Sequence, residues 1–459
     1  MHIQFHGACK TVTGSQHVIT VNDKKILLEC GFYQGRRADT ERVNRNFPFD
    51  PKSIDVCVLS HAHIDHCGNI PNLVKQGFKG KIYCTHATKS LVAVMLEDSA
   101  RIQVYDIQYL NRKSGQKLEA IYTPDDVAPA VAALEGKKYN EWFQVMPGVR
   151  AYLQDAGHVL GSALVTLELE ENGNKKKLGF TGDLGRKFLP ILRDPGQITD
   201  VDYLISESTY GDRLHDDAMT SYKSLADAIN KAYDRGGKVI IPSFALERAQ
   251  ELIYIIHELI NTKRIPNHFV YIDSPLTVKV SEVFTDYPDL VDKETREAFL
   301  SKNKDPFIFS KLRMIESAED SKKLNTIQDP CIIISASGMC EFGRIRHHLR
   351  NNLGDSRNTV IIVGFMAEHT LGRRLVEGAK QVNILNQKIQ VKSDIVILNS
   401  LSAHADQKDL IEFIRHASPL KKLFFVHGEE KGINTLASKL AKEHIDKIHI
   451  PELGDQFML

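Results

Sequence analysis

His61-Ala62-His63-Ile64-Asp65-His66 places three imidazoles and a carboxylate within six residues, directly after the apolar run Val56-Cys57-Val58-Leu59. At about 100° per residue, a helix would aim His61 and His63 at nearly opposite faces. The run is therefore not the helical pair of zinc-ligating histidines spaced four apart. On an extended segment leaving a strand, His61, His63 and Asp65 project to one side, and His66 joins them where the chain turns. Neutral imidazole with carboxylate suits zinc, or a related first-row metal, better than magnesium or calcium. The bland alternative is a chance surface cluster, and the density of ligand-type residues weighs against it.

One loop rarely completes a metal site, so further ligands are expected elsewhere. Three residues repeat the same local pattern, a metal-type side chain at the end of an apolar strand-like run. They are His158 after Val149–Asp155, Asp183 closing Leu178-Gly179-Phe180-Thr181-Gly182-Asp183, and His427 closing Leu423-Phe424-Phe425-Val426-His427. Layered α/β folds assemble sites at the carboxyl ends of strands, where loops converge on one edge. Together with His61, His63, Asp65 and His66 these make seven ligands. That is more than one tetrahedral zinc takes, and it matches two metals sharing a carboxylate.

The rest of the chain sets the frame. At 459 residues it exceeds what one core serves well, and two domains or one domain with a large insertion are expected. The 59 Lys and Arg nearly cancel the 58 Asp and Glu, which argues against retention on nucleic acid by bulk charge but permits a local basic groove. The opening MHIQFHGACK has no basic segment followed by an apolar core, so no secretory signal is expected. No apolar run reaches the length of a membrane span. Seven scattered cysteines read as reduced thiols of a cytoplasmic protein.

The rhythm of the chain changes at about Tyr222. Before it come short apolar runs that read as strands: His17–Val21, Lys25–Leu28, Val56–Leu59, Lys81–Cys84, Leu164–Glu168, Leu178–Phe180 and Tyr203–Ile205, with a helix around Thr88–Leu110. After it, helix and strand alternate: helix Ser224–Tyr233, strand Gly237–Pro242, helix Ala245–Asn261, strand His268–Ile272, then the strands Cys331–Ser335 and Thr359–Val363. Alternation of this kind predicts a parallel sheet flanked by helices. The last part returns to the strands Ile395–Leu398 and Lys422–Val426 around the helix Gln407–Arg415. The expected organisation is a first domain over 1–211, an inserted domain over 212–385, and a segment 386–459 that rejoins the first.

With HAHIDH, the GH of AGHVLGSA and the GD of FTGDLG in place, the sequence resembles the metallo-β-lactamase superfamily. Glu207 in SESTYGD, His404 in SAHAD and His427 in FVHGE further resemble its β-CASP nucleases, which include the endonuclease of mRNA 3′-end processing and its bacterial and archaeal relatives. The resemblance spans essentially the whole chain. It implies an α/β fold, the metallo-β-lactamase αβ/βα sandwich with an inserted α/β β-CASP domain. It also implies that His61, His63 and His158 bind one zinc, that Asp65, His66 and His427 bind a second, and that Asp183 bridges them, with manganese as the alternative metal. Asp65, Glu207 and His404 are then the catalytic residues, with Glu207 orienting His404 and His404 protonating the leaving oxygen. One departure stands out: where the family usually has Leu-Asp-Cys-Gly, this chain has Leu28-Glu29-Cys30-Gly31, so a contact supporting the ligands is rearranged.

Two readings of His404 stay open on the residues alone, since Ser402-Ala403-His404-Ala405-Asp406 also looks like a helix start with Asp406 as its cap. Substrate grip is expected in the insertion. Ser335, Ser337, Gly338 and Met339 lie between a strand and a basic stretch, where backbone N–H groups can hold a phosphate. Arg344, Arg346, His347, His348 and Arg350 follow, with Arg373 and Arg374 after a later glycine turn. Arg344 and Arg373 are taken as backbone contacts, although basic runs are often only solvated helix faces. Tyr210 and Phe244 are candidates for stacking on bases, and His369 for shaping the interface. The expected activity is zinc-dependent hydrolysis of phosphodiester bonds in single-stranded RNA, at a dinuclear site between the two domains, as an endoribonuclease with 5′ exonuclease action as a variant. A homodimer or RNA-processing proteins are the further candidate partners, and no membrane is involved. The alternatives are a hydrolase of a small ester or thioester, and a non-catalytic RNA-binding scaffold. The large insertion and the set Glu207, His404 and His427 favour the nuclease.

Overall fold

The short apolar runs of the first half do form strands, and their alternating burial shows which way each one faces. In His2–Phe5, Ile3 and Phe5 are fully buried while their neighbours are not, the period of two expected of a strand with one core face. The computed structural model describes residues 1–35, 37–115, 117–215, 218–300, 306–364, 366, 369–398, 401–417, 419–445 and 447–459. These divide into one compact unit of Met1–Lys187, Arg193–Leu214 and His404–Leu459, and a second of Phe188–Leu192 and His215–Ala403.

The first unit holds two seven-stranded sheets among the described residues. One runs in the order Gln456–Met458, His2–Phe5, His17–Val21, Lys24–Leu28, Val56–Val58, Lys81–Thr85, Leu134–Lys137. The other runs Ile448–His449, Lys422–Phe425, Tyr203–Ser206, Asn174–Phe180, Ala163–Glu171, Val149–Asp155, Trp142–Met146. Their facing sides share one core that includes Phe5, Ile19, Val58, Val165, Phe180 and Phe424. A second core lies where the helices Gln407–Ala417 and Glu430–Ala441 bring Leu410, Ile414, Leu436 and Leu440 onto the second sheet at Leu204, Leu423 and Phe425. Helices outside two packed sheets are the expected αβ/βα layering.

The second unit is built on a six-stranded sheet whose neighbours all pair in parallel, in the order Leu312–Met314, Val270–Ile272, Ile332–Ser335, Val239–Pro242, Thr359–Ile362, Asp394–Ile397. Its central strands are continuously buried runs, Val239–Pro242 and Ile332–Ser335, as a sheet covered on both faces requires. The strand at 394–397 corrects one part of the expected organisation. It pairs with Thr359–Ile362, so the segment from 386 to 403 goes with the second unit and the chain rejoins the first at His404. The apolar run at 395–398 was legible as a strand, but its partner lies far away in sequence. No helix among the described residues is long and apolar enough to cross a membrane.

Candidate metal centre

Five of the functional side chains singled out in the first unit stand just past the carboxyl end of a strand. His61 follows Val56–Val58, His158 follows Val149–Asp155, Asp183 follows Asn174–Phe180, Glu207 follows Tyr203–Ser206 and His427 follows Lys422–Phe425. The HAHIDH segment departs from the expected extended course. His61 and His63 lie on the loop, whereas Ile64–Cys67 is one short helix, with His63 at its N-cap and the N–H of Cys67 on the His63 carbonyl at 2.9 Å. Asp65 and His66 therefore come from a helical turn, which separates them from the histidines before them. Close approach also explains Gly182 (φ 53°): a Cβ there would lie 2.4 Å from Ser60 Oγ.

The ligand-type atoms converge as two sets. In the first, His61 Nε2 lies 3.1 Å from His63 Nδ1, and His158 Nε2 lies 3.2 Å from the same nitrogen. Asp183 Oδ2 completes it, at 3.5 Å from His61 and 3.4 Å from His158. In the second, His66 Nε2 and His427 Nε2 are 3.3 Å apart, and Asp65 Oδ2 is 3.3 Å from His427. The other oxygen of Asp183, Oδ1, stands 3.3 Å from His66 Nε2 and 3.4 Å from His427 Nδ1. Ligands about 2.0–2.1 Å from a tetrahedral zinc stand about 3.3–3.4 Å from one another. The first set has that spacing; the second is looser, with Asp65 Oδ2 3.9 Å from His66 Nε2 and Asp183 Oδ1 against Nδ1 of His427. Asp183 Oδ1, buried without a hydrogen-bond partner, is an acceptor that a cation would satisfy. The residues fit a divalent metal.

Electrostatics points the same way. Burial pushes His61 down to about 3 and His63 to about 4, and it carries His158 well below its ordinary value. Their lone pairs are therefore available at neutral pH. Burial would also lower His66, but the carboxylates of Asp183, Asp65 and Glu29 around it win and raise it. Burial alone would raise Asp183, yet His427, His66 and His61 hold it well below the usual carboxylate range.

Three residues outside the ligand sets fix their orientation. The Glu29 carboxylate, fully buried on a left-handed backbone (φ 64°), accepts from the Ser60 N–H at 2.6 Å and lies 2.8 Å from His66 Nδ1. Ser60 Oγ donates to Glu29 at 3.2 Å and lies 2.8 Å from His61 Nδ1. Thr209 Oγ1 donates to the His427 carbonyl and faces His427 Nδ1, both at 3.1 Å. Such partners set which ring nitrogen stays free for a metal. The sequence flagged Glu29 but not Ser60 or Thr209. Ser60 adjoins the motif, which was the available signal. Nothing in the local pattern marks Thr209.

Glu207 and His404 come together beside these sets. His404 Nδ1 is 3.2 Å from Glu207 Oε1, which also accepts the Leu184 N–H at 2.6 Å, while Oε2 accepts the Thr209 N–H at 3.3 Å. The His404 ring lies 4.5 Å from that of His158, centroid to centroid. Burial works against a charged His404, but Glu207 overrides it and pushes the imidazole up to about 9. The helix-start reading of the same segment holds as well, since Asp406 Oδ1 accepts the N–H groups of Lys408 and Asp409. Tyr210 is buried, with its ring 6.0 Å from His404 and the Arg213 guanidinium over it. It supports His404 and offers no exposed face.

In the second unit the expected substrate contacts divide. Ser335 is buried, and its hydroxyl donates to the Asp273 carbonyl at 2.8 Å. The Arg344 guanidinium bonds Asp273 Oδ1 at 2.7 Å and the carbonyls of Ile315 and Glu316. His348 is buried on the same carboxylate at 2.6 Å. Ser337, Gly338 and Met339 form the loop after Ile332–Ser335, and Arg373 pairs with Glu377 at 2.7 Å on a partly exposed helix turn. His369 is exposed in the described structure, and its neighbours Ala367 and Glu368 lie outside the described residues.

Comparison with known proteins adds a second line of observation. Residues 11–243 match the metallo-beta-lactamase superfamily, 249–375 the Beta-Casp domain, and 388–451 the Zn-dependent metallo-hydrolase RNA specificity domain. The chain is 34% identical to ribonuclease TTHA0252 of Thermus thermophilus over 96% of each protein. It is 31% identical to cleavage and polyadenylation specificity factor 73 of Drosophila melanogaster over 95% of this chain and 61% of that one. A crystal structure of a protein of unknown function from Enterococcus faecalis shares the fold over 100% of this chain and 99% of its own, with a TM-score of 0.54 at 14% identity.

Proposed function

The chain belongs to the metallo-β-lactamase superfamily and carries its Beta-Casp domain, and from that premise we propose that it is a metal-dependent ribonuclease that hydrolyses phosphodiester bonds of single-stranded RNA with two zinc ions. The observation that carries this reading is the convergence of two ligand sets on the two oxygens of Asp183, the His61 set with tetrahedral spacing. His61, His63 and His158 would hold one ion, and Asp65, His66 and His427 the other. When bound, the cations supply Lewis acidity that makes water nucleophilic near neutral pH and offsets charge on the phosphate.

The remaining steps belong to the protein's own groups. Glu207 is fixed by the N–H groups of Leu184 and Thr209 and accepts from His404 Nδ1. That leaves Nε2–H of His404 as the proton to give to the leaving ribose oxygen, a role that typically contributes about 10²–10⁴-fold. Glu29, Ser60 and Thr209 hold the ligand imidazoles in the binding tautomer. RNA is gripped by the backbone of Ser337, Gly338 and Met339 and by Arg373, while Ser335 and Arg344 support that loop through Asp273. The free cysteines suit a reducing, cytoplasmic setting.

The test is cleavage of single-stranded RNA, labelled internally and at the 5′ end, on a denaturing gel with zinc and with chelator. Zinc-dependent internal fragments are the expected result, and mononucleotide release from the 5′ end would instead indicate an exonuclease. Intact RNA with zinc-loaded protein, alongside turnover of a small ester, would overturn the reading.

A further inference from the structure

The strand order of the second unit creates a crevice whose aromatic side chains the proposed chemistry leaves unassigned. After Val239–Pro242 the chain runs to Val270–Ile272, on the far side of Ile332–Ser335; after Ile332–Ser335 it runs to Thr359–Ile362, on the far side of Val239–Pro242. The loops leaving these two adjacent strands therefore part in opposite directions. In parallel sheets such a switch point, at the carboxyl ends, is where ligands bind.

The two diverging loops present aromatic surface. Phe244 follows Val239–Pro242 and is 37% exposed. Its ring packs directly on Gly338 of the other loop, where an added Cβ would fall 2.7 Å from ring carbons Cδ2 and Cε2. Gly364, beyond the neighbouring strand Thr359–Ile362, also borders the ring, at 3.9 Å by the same measure. Phe342 is 50% exposed and is tied to the start of that loop, its N–H on Ser337 Oγ at 3.2 Å and its carbonyl accepting the Ser337 N–H at 3.3 Å. Gly343 closes the loop with φ 72°. Of the described aromatic side chains of the second unit, Phe188, Phe244 and Phe342 are the large exposed ones, and two of these three belong to this crevice. A scattered exposed phenyl needs no explanation; two held by backbone at a switch point, with glycines keeping side chains off one ring, form a built surface.

We infer that Phe244 and Phe342 form a platform on which bases of single-stranded RNA stack, beside the backbone N–H groups of Gly338 and Met339. This rests on the ribonuclease reading and adds what that reading lacks, a contact to the base. Every base has a π-face, so such a platform gives affinity with little sequence preference, and one stacked base contributes enough for roughly tenfold or more in affinity. Phe342 was not recognised from sequence, because nothing local distinguishes it from a core residue.

The platform is tested by fluorescence anisotropy with zinc-loaded protein carrying His404→Ala. Fluorescein-labelled oligoadenylate is compared with an abasic oligoribonucleotide of equal length. Phe244→Ala and, separately, Phe342→Ala are expected to weaken oligoadenylate binding about 10- to 100-fold and to leave abasic binding unchanged, with Phe244→Trp restoring affinity. Unchanged oligoadenylate affinity in both alanine variants, or an equal loss on the abasic strand, would overturn the platform and leave the ribonuclease reading standing. Failure of the parent protein to bind either strand would overturn that reading and the platform with it.

Discussion

Replacing Glu29 by Gln keeps the shape of a fully buried side chain and removes its charge. The structure gives the consequence in detail. Glu29 receives only donors: the Ser60 N–H at 2.6 Å, Ser60 Oγ at 3.2 Å and His66 Nδ1 at 2.8 Å. Gln has one acceptor oxygen, so its NH₂ group must oppose either the Ser60 N–H or His66 Nδ1. In the second case His66 is driven to the tautomer with hydrogen on Nε2, the atom that faces Asp65, Asp183 and His427. In the first case the carboxylate-strength bond is still lost. Hydrogen bonds to charged groups contribute about 1.5–3 kcal/mol, which is roughly 10- to 150-fold in affinity, and partners of metal-bound histidines typically matter by about 10- to 100-fold. Zinc at the Asp65, His66 and His427 set should therefore bind about 10- to 100-fold more weakly. At the His61 set, reached only through Ser60 Oγ, the loss should be smaller. Competition with a chelator of known zinc affinity, with zinc per chain measured by mass spectrometry and folding checked by circular dichroism, resolves the two equivalents. Superimposable zinc isotherms for folded Glu29→Gln and the parent chain would refute the role given to Glu29.

Three further outcomes follow from the same structure. Glu207→Gln removes the carboxylate that holds the His404 imidazole up to about 9; burial then lowers it, so the proton is lost at lower pH. The RNA cleavage rate should fall about 10²–10⁴-fold at neutral pH, with the alkaline limb of the rate profile moved toward acid, and an unmoved profile counts against the pair. Asp273→Ala strips a buried carboxylate from Arg344, His348 and Ser321, and should cost about 3–5 kcal/mol in denaturant unfolding; a change under 1 kcal/mol contradicts this. At Asp155, burial pushes the carboxyl up to about 6, against the pull of the Gly157 N–H and of Arg193. The folded state then binds more protons than the unfolded one between about pH 4 and 6, so stability falls as pH rises through that window. Asp155→Asn escapes that loss and should gain about 2 kcal/mol relative to the parent chain between pH 4 and pH 7, whereas a pH-independent difference would show that the group does not titrate there.

The residues that converge as the candidate metal centre were legible because they announce themselves locally. HAHIDH, and a ligand-type residue closing each of several apolar runs, mark strand ends before any pairing is known. Where pairing or a distant partner decides, the sequence was silent. The strand at 394–397 could be seen, but its attachment to Thr359–Ile362 could not, and this moved the boundary of the second unit. Arg344 reads as a free basic residue, and only the fold brings Asp273 to it. Asp65 was placed with His61 and His63 on an extended run because alternation explains the histidines equally well, whereas it stands with His66 in the short helix Ile64–Cys67. Thr209 and Ser60 matter through single hydrogen bonds, and single hydrogen bonds leave no periodic trace.

The central claim is that Asp183 joins two metal sets that together cleave RNA. Its most direct test measures zinc content and single-stranded RNA cleavage in parallel for the parent chain and for Asp183→Ala. The account predicts two zinc ions and metal-dependent cleavage in the parent, with zinc lost and cleavage abolished in a folded Asp183→Ala protein. Cleavage at the parental rate by the variant, or by a parent chain stripped of metal, would contradict it.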